Sequence, residues 1–282
     1  MITLENVIMN RLSLQDRARI VGCLVEGVSM RATTRLVGCS INTVTKLLVD
    51  LGAACLLYQN EVMRNLPCKR IQVDEVWAFC YSKQKNTPVN ERGERGDIWT
   101  WVAIEAQTKL VPSFHVGARD ARSAQLFIDD LASRLKDRIQ LTSDGFKAYL
   151  TPVENAFGSE VDYAMLVKLY GNPEGNPNER RYSAGECCGT VKGTVSGNPE
   201  QAHVSTSYVE RQNLSLRMGN RRFTRLTNGF SKKAANHEYA LAIYYMHYNF
   251  GRIHKSLRVT PAMEAGIADH VWTLEEIAKL AD

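Results

Sequence analysis

Apolar side chains fall at nearly helical spacing from Leu14 to Gly27. This pattern predicts a first helix within residues 14–27, and Gly27 supplies a stop signal at its end. Ser29 can cap a second helix over residues 30–37, because its hydroxyl can accept a hydrogen bond from a backbone N–H of the first turn. The chain therefore opens with an all-helical segment.

A short turn at residues 38–40 contains Gly38 and leads into a third predicted helix over residues 41–51, which Gly52 is expected to end. Helix, short turn and helix is the order of the DNA-reading helix-turn-helix motif, whose second helix lies in the major groove. A plain three-helix bundle is the alternative. The polar side chains near the start of the third helix are the candidate DNA contacts, namely Asn42, Thr43, Thr45 and Lys46.

After Pro67 the pattern changes to alternating or continuous apolar runs rich in β-branched and aromatic residues, which is typical of strands. The order of strands and helices predicts a mixed α/β fold of the ribonuclease-H-like kind. The first three strands should form an antiparallel meander. The predicted strands cover residues 71–81, 98–104, 110–116, 139–142 and 164–169, with a helix that opens at Asp120 or Ser123 and ends at Arg138.

The fold class predicted is thus α/β, with a ribonuclease-H-like mixed-sheet catalytic domain preceded by an all-α helix-turn-helix domain. Residues 171–203 are rich in Gly, Pro, Asn and Glu without periodicity, so they indicate an insertion or functional loop. Two closing helices are expected over residues 204–218 and 232–250. The predicted parts are a DNA-binding domain at 1–55, a linker at 56–69, the catalytic domain at 70–260 and a C-terminal tail at 261–282.

Composition narrows the class of protein only a little. The 282 residues are 44% hydrophobic and 23% charged, which is typical of a folded globular protein, and the net charge is +5. Seven scattered cysteines without a CxxC pair argue against a structural zinc site. No signal peptide and no run of eighteen apolar residues is evident, so a cytoplasmic location without a membrane partner is expected.

The positive charge is concentrated in one stretch, residues 210–233, in which Glu210 is the only acid. Such a basic surface suits a polyanion such as DNA. The basic residues of the stretch are Arg211, Arg217, Arg221, Arg222, Arg225, Lys232 and Lys233.

Three acids are candidates for a metal site. Asp74 interrupts the apolar run of a strand, Asp144 follows the end of a later strand, and Glu210 lies in a predicted helix. Carboxylates that converge from separate elements can hold two divalent cations for phosphoryl transfer. Strand alternation places Asp74 and Glu75 on opposite faces, so only one of the two can join such a site.

Each acid also has an ordinary structural interpretation. Asp74 can face solvent, Asp144 can cap a turn or a helix, and Glu210 can be a solvated helical acid. Asn213 and Arg217 follow Glu210 by three and seven positions on the same helical face, and this face suits a phosphate backbone.

The motifs together resemble the DDE-type insertion-sequence transposases, and most closely the insertion-sequence-one family. The likeness spans most of the chain. It is carried by QVDEVW (72–77), TSDG (142–145), SYVERQNL (207–214), NRRFTR (220–225), TN (227–228), YNF (248–250), RIHKSL (252–257) and TPA (260–262).

The resemblance implies a catalytic and metal-binding triad of Asp74, Asp144 and Glu210 with two Mg²⁺ or Mn²⁺ ions, and Arg217 matches the family's basic residue. It implies cleavage at the element ends and transfer of the 3′-hydroxyl into target DNA. The partners expected are duplex DNA, both terminal inverted repeats and target, and a second copy of the chain at least. The residues expected to contact DNA are Asn213, Arg211, Arg217, Arg221, Arg222, Arg225, Asn42, Thr43, Thr45 and Lys46, while His254 can contact DNA or the metal site or serve a capping or core role.

Other classes of function stay open at the level of sequence. They are a helix-turn-helix regulator, a ribonuclease-H-like nuclease without strand transfer, and a domesticated transposase that binds DNA without cutting it. Metal-dependent cleavage would eliminate the regulator, and joined products would exclude the plain nuclease.

Overall fold

The computed structural model of the chain describes residues 12–91, 94–171, 185 and 187–282. The elements in chain order are α1 (Leu14–Val25), α2 (Met30–Val37), α3 (Ile41–Val62), β1 (Arg70–Cys80), β2 (Gly96–Glu105), β3 (Phe114–Gly117), α4 (Ala121–Arg134), β4 (Ile139–Ser143), α5 (Leu150–Phe157), β5 (Val161–Tyr170), β6 (Cys187–Ser196), α6 (Ser207–Gly219), α7 (Ala234–Met246), α8 (Pro261–Glu264) and α9 (Leu274–Lys279), with a π-helical turn at His247–Gly251 and short 3-10 helices at Gln84–Asn86, Val89–Glu91, Lys147–Tyr149, Gln201–His203 and Arg221–Phe223.

These elements form two compact units. The first unit comprises Met1–Met63, Trp77–Ile98 and Leu214–Asp282, and the second comprises Arg64–Val76 and Trp99–Asn213. Strands β1 and β2 and helix α6 each contribute residues to both units.

The opening helices of the first unit are set by their caps. The hydroxyls of Ser13, Ser29 and Ser40 accept hydrogen bonds from backbone N–H groups of α1, α2 and α3, respectively. Gly38 ends α2 in the left-handed conformation, with φ of 76°. The predictions of the first two helices and of Ser29 as a cap are confirmed, because these polar caps are local signals that a sequence shows directly.

The third helix is longer than predicted, because α3 passes through Gly52 and continues to Val62. Gly52 is buried, and a Cβ placed on it would come within 2.3 Å of the Cβ of Tyr239 on α7. The glycine therefore allows α3 and α7 to approach closely and does not end the helix. The expectation that Gly52 stops α3 was wrong, because it took a packing glycine for a cap.

Helix α3 is long and apolar enough to cross a membrane when judged by length and composition alone. Its buried residues include Leu47, Leu48, Leu51 and Cys55, and the side chain of Gln59 donates to the backbone carbonyl of Ala242 on α7. Packing against α7 therefore buries one face of α3.

The six-stranded sheet has the order β3-β2-β1-β4-β5-β6. Strands β1, β4 and β5 are parallel neighbours, whereas β3 pairs antiparallel with β2 and β6 pairs antiparallel with β5. A mixed sheet with helices confirms the predicted α/β class. The predicted strand over residues 110–116 is shorter and later, at Phe114–Gly117.

The core of the second unit is built around Trp101 of β2, which is fully buried. Its indole N–H donates to the carbonyl of Ala118 at 3.1 Å, and its ring contacts Phe127 of α4 and Tyr149. This arrangement satisfies the only polar atom of the indole while burying its large apolar surface.

Helix α4 opens after its N-cap Asp120 and ends at Arg134, four residues before the predicted end. Leu135 leaves the helix because it bridges to Leu66, and the N–H of Lys136 donates to the carbonyl of Leu66. A distant segment therefore decides where this helix ends.

Strand β6 corrects the prediction of an unstructured segment over residues 171–203. The strand pairs antiparallel with β5, from Tyr163 opposite Ser196 to Tyr170 opposite Cys187. Nearly all of its side chains are exposed. Because backbone hydrogen bonds to β5 hold the strand and neither face is buried, its sequence does not alternate between apolar and polar residues. Residues 172–184 and 186 of the predicted insertion lie outside the described residues.

The close approach at Gly52 gives a direct test of the packing interpretation. Helix propensity alone would make Gly52→Ala stabilising by about 1 kcal/mol. We expect the reverse, a loss of about 1–3 kcal/mol in the free energy of unfolding, because the added methyl group would overlap with Tyr239. Urea unfolding measures the change.

The matched control is Gly193→Ala, since a Cβ at Gly193 on β6 would meet nothing within 4 Å. This variant should change the free energy of unfolding by less than about 0.5 kcal/mol. Stabilisation by Gly52→Ala would contradict the close contact between α3 and α7.

Candidate active site

Asp74 lies on β1 within an otherwise buried stretch, with Ile71, Val73 and Val76 at most 1% exposed. Its Oδ2 accepts a hydrogen bond from the side-chain amide of Asn213 at 2.8 Å, and its Oδ1 accepts from the backbone N–H of Glu75 at 2.8 Å. Two donors therefore fix the orientation of this carboxylate.

Asp144 follows the end of β4, the parallel neighbour of β1. Gln72 on β1 is in register with Thr142 on β4; Asp74 lies two residues beyond Gln72, and Asp144 lies two residues beyond Thr142. Parallel pairing thus brings Asp74, within β1, beside Asp144 at the point where β4 ends. The Oδ1 of Asp144 accepts from the backbone N–H of Phe146 at 2.9 Å.

Glu210 lies in the first turn of α6. Thr206 donates its hydroxyl to Oε1 of Glu210 at 2.6 Å, and the ammonium group of Lys168 on β5 donates to both carboxylate oxygens at 2.5 Å. Burial by itself would lower the pKa of Lys168, but the carboxylate of Glu210 raises it above its usual value. Lys168 therefore stays charged and neutralises Glu210.

Gln72 links the helix of Glu210 to the strand of Asp74. Its buried side-chain oxygen accepts hydrogen bonds from the N–H groups of Tyr208 and Val209, at 2.8 and 3.2 Å. A distant side chain thus satisfies donors at the start of α6 that have no partner within the helix. The position of Gln72 inside a predicted strand gave no signal for this capping role.

The three acids of the predicted triad line one cavity in the second unit, with a volume of about 520 Å³. Burial, followed by the negative charges of Glu75, Asp144 and Glu210, raises the pKa of Asp74 to about 7. Lys168 and Arg119 also line the cavity. The site therefore combines crowded carboxylates with two cationic side chains.

Glu75 lies behind this cavity and holds Arg119. Its side chain is only 1% exposed, and one of its oxygens accepts a hydrogen bond from Nε of Arg119 at 3.0 Å. Burial raises the pKa of Glu75, an effect that Tyr149 and Arg119 oppose. As expected from strand alternation, Asp74 lines the cavity and Glu75 does not, yet Glu75 supports a cavity residue that the sequence did not single out.

The carboxylates fit a divalent cation in their chemistry, since Mg²⁺ and Mn²⁺ prefer oxygen ligands. Within the described residues, however, no three His, Cys, Asp or Glu side chains lie close enough to hold a metal ion as they stand. Lys168 and Thr206 occupy the oxygens of Glu210, so a cation bound through Glu210 would compete with Lys168 for this carboxylate.

The predicted DNA contacts fall in both units. Asn213 and Arg211 lie in the second unit. Asn213 is buried and its amide donates to Asp74, whereas Arg211 is exposed. The hydroxyl of Thr45 donates to the backbone of α3, and Lys46 pairs with Asp50 at 2.5 Å. The remaining contacts lie in the first unit, where Asn42 and Arg225 are exposed and Thr43, Arg217, Arg221 and Arg222 are half-buried.

His254 closes a turn of the first unit. Its Nδ1 lies 3.0 Å from the hydroxyl of Ser256, and its backbone carbonyl accepts from the N–H groups of Leu257 and Arg258. These contacts give His254 a local structural role, and its contact with DNA or the metal site stays a prediction.

No protein-family model matches the chain, and no curated protein matches it. Among solved structures it is similar to a Mos1 transposase paired-end complex with left transposon end, at 12% identity and a TM-score of 0.21, over 52% of this chain and 58% of that one. It is also similar to a piggyBac transposase synaptic complex with hairpin DNA, at 10% identity and a TM-score of 0.36, over 98% of this chain and 74% of that one. This chain covers 58% of the Mos1 chain, which is less than two thirds of its length.

The raised pKa of Asp74 predicts how stability depends on pH without metal. Its pKa rises from 3.8 to about 7 on folding, so ionisation of Asp74 costs folding free energy. The free energy of unfolding should therefore fall as the pH increases from about 4 to about 7. Asp74→Asn should reduce this fall, as measured by urea unfolding in EDTA across the range.

Asp162→Asn is the control for this pH series. A hydrogen bond from Arg138 lowers the pKa of Asp162, so its contribution changes below the pH window and stays constant within it. An Asp74→Asn protein with the same pH dependence as the wild type would contradict the electrostatic description of the site.

Proposed function

We propose that this protein is a metal-dependent DNA transposase of the DDE type, which cleaves DNA at the ends of an insertion sequence and transfers the 3′-hydroxyl into target DNA. The observation that carries the proposal is the convergence of Asp74, Asp144 and Glu210 on one cavity from a strand, a strand end and a helix. The motifs that resemble the insertion-sequence-one family lie at these same three positions.

The metal ligands in this proposal are the carboxylates of Asp74, Asp144 and Glu210. Two Mg²⁺ or Mn²⁺ ions held there would activate the attacking oxygen and stabilise the leaving oxygen. Asn213 orients Asp74, and Gln72 fixes the start of the helix that bears Glu210. Arg119, held by Glu75, presents a positive charge in the same cavity that can bind a DNA phosphate.

The proposal includes a ribonuclease-H-like catalytic domain and a helix-turn-helix element formed by α2 and α3. The second of these helices would read the terminal repeats through Asn42, Thr43, Thr45 and Lys46, because the start of the reading helix reaches the base edges. The basic residues Arg211, Arg217, Arg221, Arg222 and Arg225 would bind phosphates. Two DNA ends must be held together, which calls for at least a dimer.

A DNA-binding regulator or a domesticated transposase that no longer cuts is the second candidate. The contact that favours it is the ion pair of Lys168 with both oxygens of Glu210, which competes with a metal for the same carboxylate. The two candidates differ in whether Mg²⁺ displaces Lys168.

Strand transfer tests the proposal directly. A duplex that carries the DNA flanking the coding sequence should give joined products with Mg²⁺ or Mn²⁺. Asp144→Asn should lower the yield of these products about a thousandfold or more, because the substitution removes a carboxylate proposed to bind the metal ions. Asp137→Asn, which alters an exposed acid before the same strand β4, is the matched control and should keep full activity. Full activity of Asp144→Asn would reject the triad, and specific DNA binding without any metal-dependent product would favour the second candidate.

The competition between Lys168 and the metal can be measured without DNA. Lys168→Gln should lower the Mg²⁺ concentration at which thermal stabilisation is half complete, by about tenfold, because Glu210 no longer has to leave an ion pair. Lys192→Gln on the neighbouring strand β6, where the ammonium group donates to the carbonyl of Gln201, should leave this concentration unchanged. Equal Mg²⁺ dependence of the wild type and Lys168→Gln would show that Lys168 does not compete with the metal.

A further inference from the structure

A second cavity lies within the first unit and is larger than the one that the acids line. Its volume is about 640 Å³, which is within the range of sites that bind small organic molecules. Its lining comes from α1, α2, α3, α7 and the segment between α6 and α7. No part of the acidic cavity contributes to it.

The charge of this second cavity is uniformly positive. Five cationic side chains line it and no Asp or Glu does, and among the described residues none of the five pairs with a carboxylate. Uncompensated cations around a concave site favour an anionic ligand. The five are Arg31, Arg221, Arg222, Lys232 and Lys233.

Two of the arginines are built into the wall of the cavity. Arg222 is half-buried and donates to the hydroxyl of Ser231 at 3.1 Å and to the sulfur of Met30 at 3.5 Å. The Nε of Arg221 is buried and has no hydrogen-bond acceptor within the described part of the chain. A buried donor without a partner is costly, so an anion that accepts its hydrogen bond would be stabilised here.

The environment of Arg222 adds to this need for an anion. His237 is fully buried and shares the hydroxyl of Ser231 through its Nδ1 at 2.8 Å. Burial and then the charge of Arg222 lower the pKa of His237 to about 3, so the histidine is neutral and Arg222 carries the charge alone.

The rest of the cavity wall is mostly apolar and includes two asparagine side chains. Met30, Ile41 and Phe230 supply apolar surface, and the ring of Phe230 is held by Phe79 with a centroid distance of 4.9 Å. Asn228 and Asn236 supply groups that can both donate and accept hydrogen bonds. A ligand that fits such a wall has a planar, mostly apolar body with polar edges, joined to an anion.

We propose that this cavity binds one unpaired nucleotide of a DNA strand, with its phosphate on the five cationic side chains and its base against Met30, Ile41 and Phe230. A base within a duplex is stacked on both faces and cannot enter a concave site, so the nucleotide must be single-stranded or turned out of the helix. The proposal rests on the proposed function only in taking DNA as the substrate. Thr45 of α3 lines the same cavity, so this site adjoins the helix proposed to read the terminal repeats.

The test measures DNA binding in EDTA, where no cleavage can occur. The probes are a short single-stranded oligonucleotide, the same strand with abasic positions, and free thymidine monophosphate. The oligonucleotide should bind about tenfold more tightly than the abasic strand, because the abasic strand lacks bases to contact the apolar wall. A 2-aminopurine base in the oligonucleotide should change its fluorescence on binding and report on the surroundings of the base itself.

The variant Lys232→Gln with Lys233→Gln removes two exposed cations of the cavity with little risk to folding. It should weaken oligonucleotide binding about tenfold or more and abolish the 2-aminopurine signal. The matched control, Lys85→Gln with Lys279→Gln, removes two exposed cations of the same unit that lie outside the cavity, and it should weaken binding less than about threefold.

Equal losses in the two double variants would overturn the proposal, because the cavity would then contribute no more than general surface charge. Equal affinity for the abasic strand would also overturn it, since the site would then take a phosphate without a base. Thymidine monophosphate that binds as tightly as the strand would overturn the assignment to a DNA strand, because the site would then take a free nucleotide. Asp144→Asn should bind the oligonucleotide like the wild type. Strand transfer without nucleotide binding would therefore reject this cavity alone, whereas nucleotide binding without any metal-dependent product would reject only the proposed transposase activity.

Discussion

Parallel hydrogen bonding between β1 and β4 is the constraint on which the candidate active site depends. The pairing of Gln72 with Thr142 brings Asp74, within β1, beside Asp144, just past the end of β4. Placing carboxylates together in a half-buried site is unfavourable unless their charges are compensated, and the fold supplies this compensation from other elements. Asn213 donates to Asp74, and Lys168 neutralises Glu210.

The two cavities have opposite electrostatic character. The cavity in the second unit gathers acids, and its two cations are held by ion pairs with Glu75 and Glu210. The cavity in the first unit gathers cations without acids. The proposed transposase would use both kinds of site, because metal ions would approach the reacting phosphate while positive charge holds the rest of the strand. The net charge of the whole chain conceals this division.

Much of the fold and of the candidate site could be predicted from the sequence where the physical signal is local. The cap Ser29, the turn at Gly38, the strand of Asp74 and the strand end before Asp144 are examples, because a cap, a turn or an apolar run depends on adjacent residues. The prediction failed where a distant residue decides the outcome. Gly52 packs on Tyr239, Leu135 pairs with Leu66, and Gln72 caps α6, and none of these partners is visible along the chain.

The prediction missed strand β6 for a different reason. Its side chains face solvent, so backbone pairing with β5 leaves no hydrophobic pattern to detect. Strand alternation predicts that only one of Asp74 and Glu75 can join the site, and the buried Glu75 instead pairs with Arg119.

The cap that Gln72 provides has a consequence for the entropy of metal binding. Because one strand bears Asp74 and also anchors the start of α6, folding alone fixes the backbones of two prospective ligands relative to each other. A cation bound as proposed would not need to order a loop or a helix end, so much of the conformational cost of assembling its ligands would be met by folding itself. The remaining change would be a rotation of the Glu210 side chain away from Lys168.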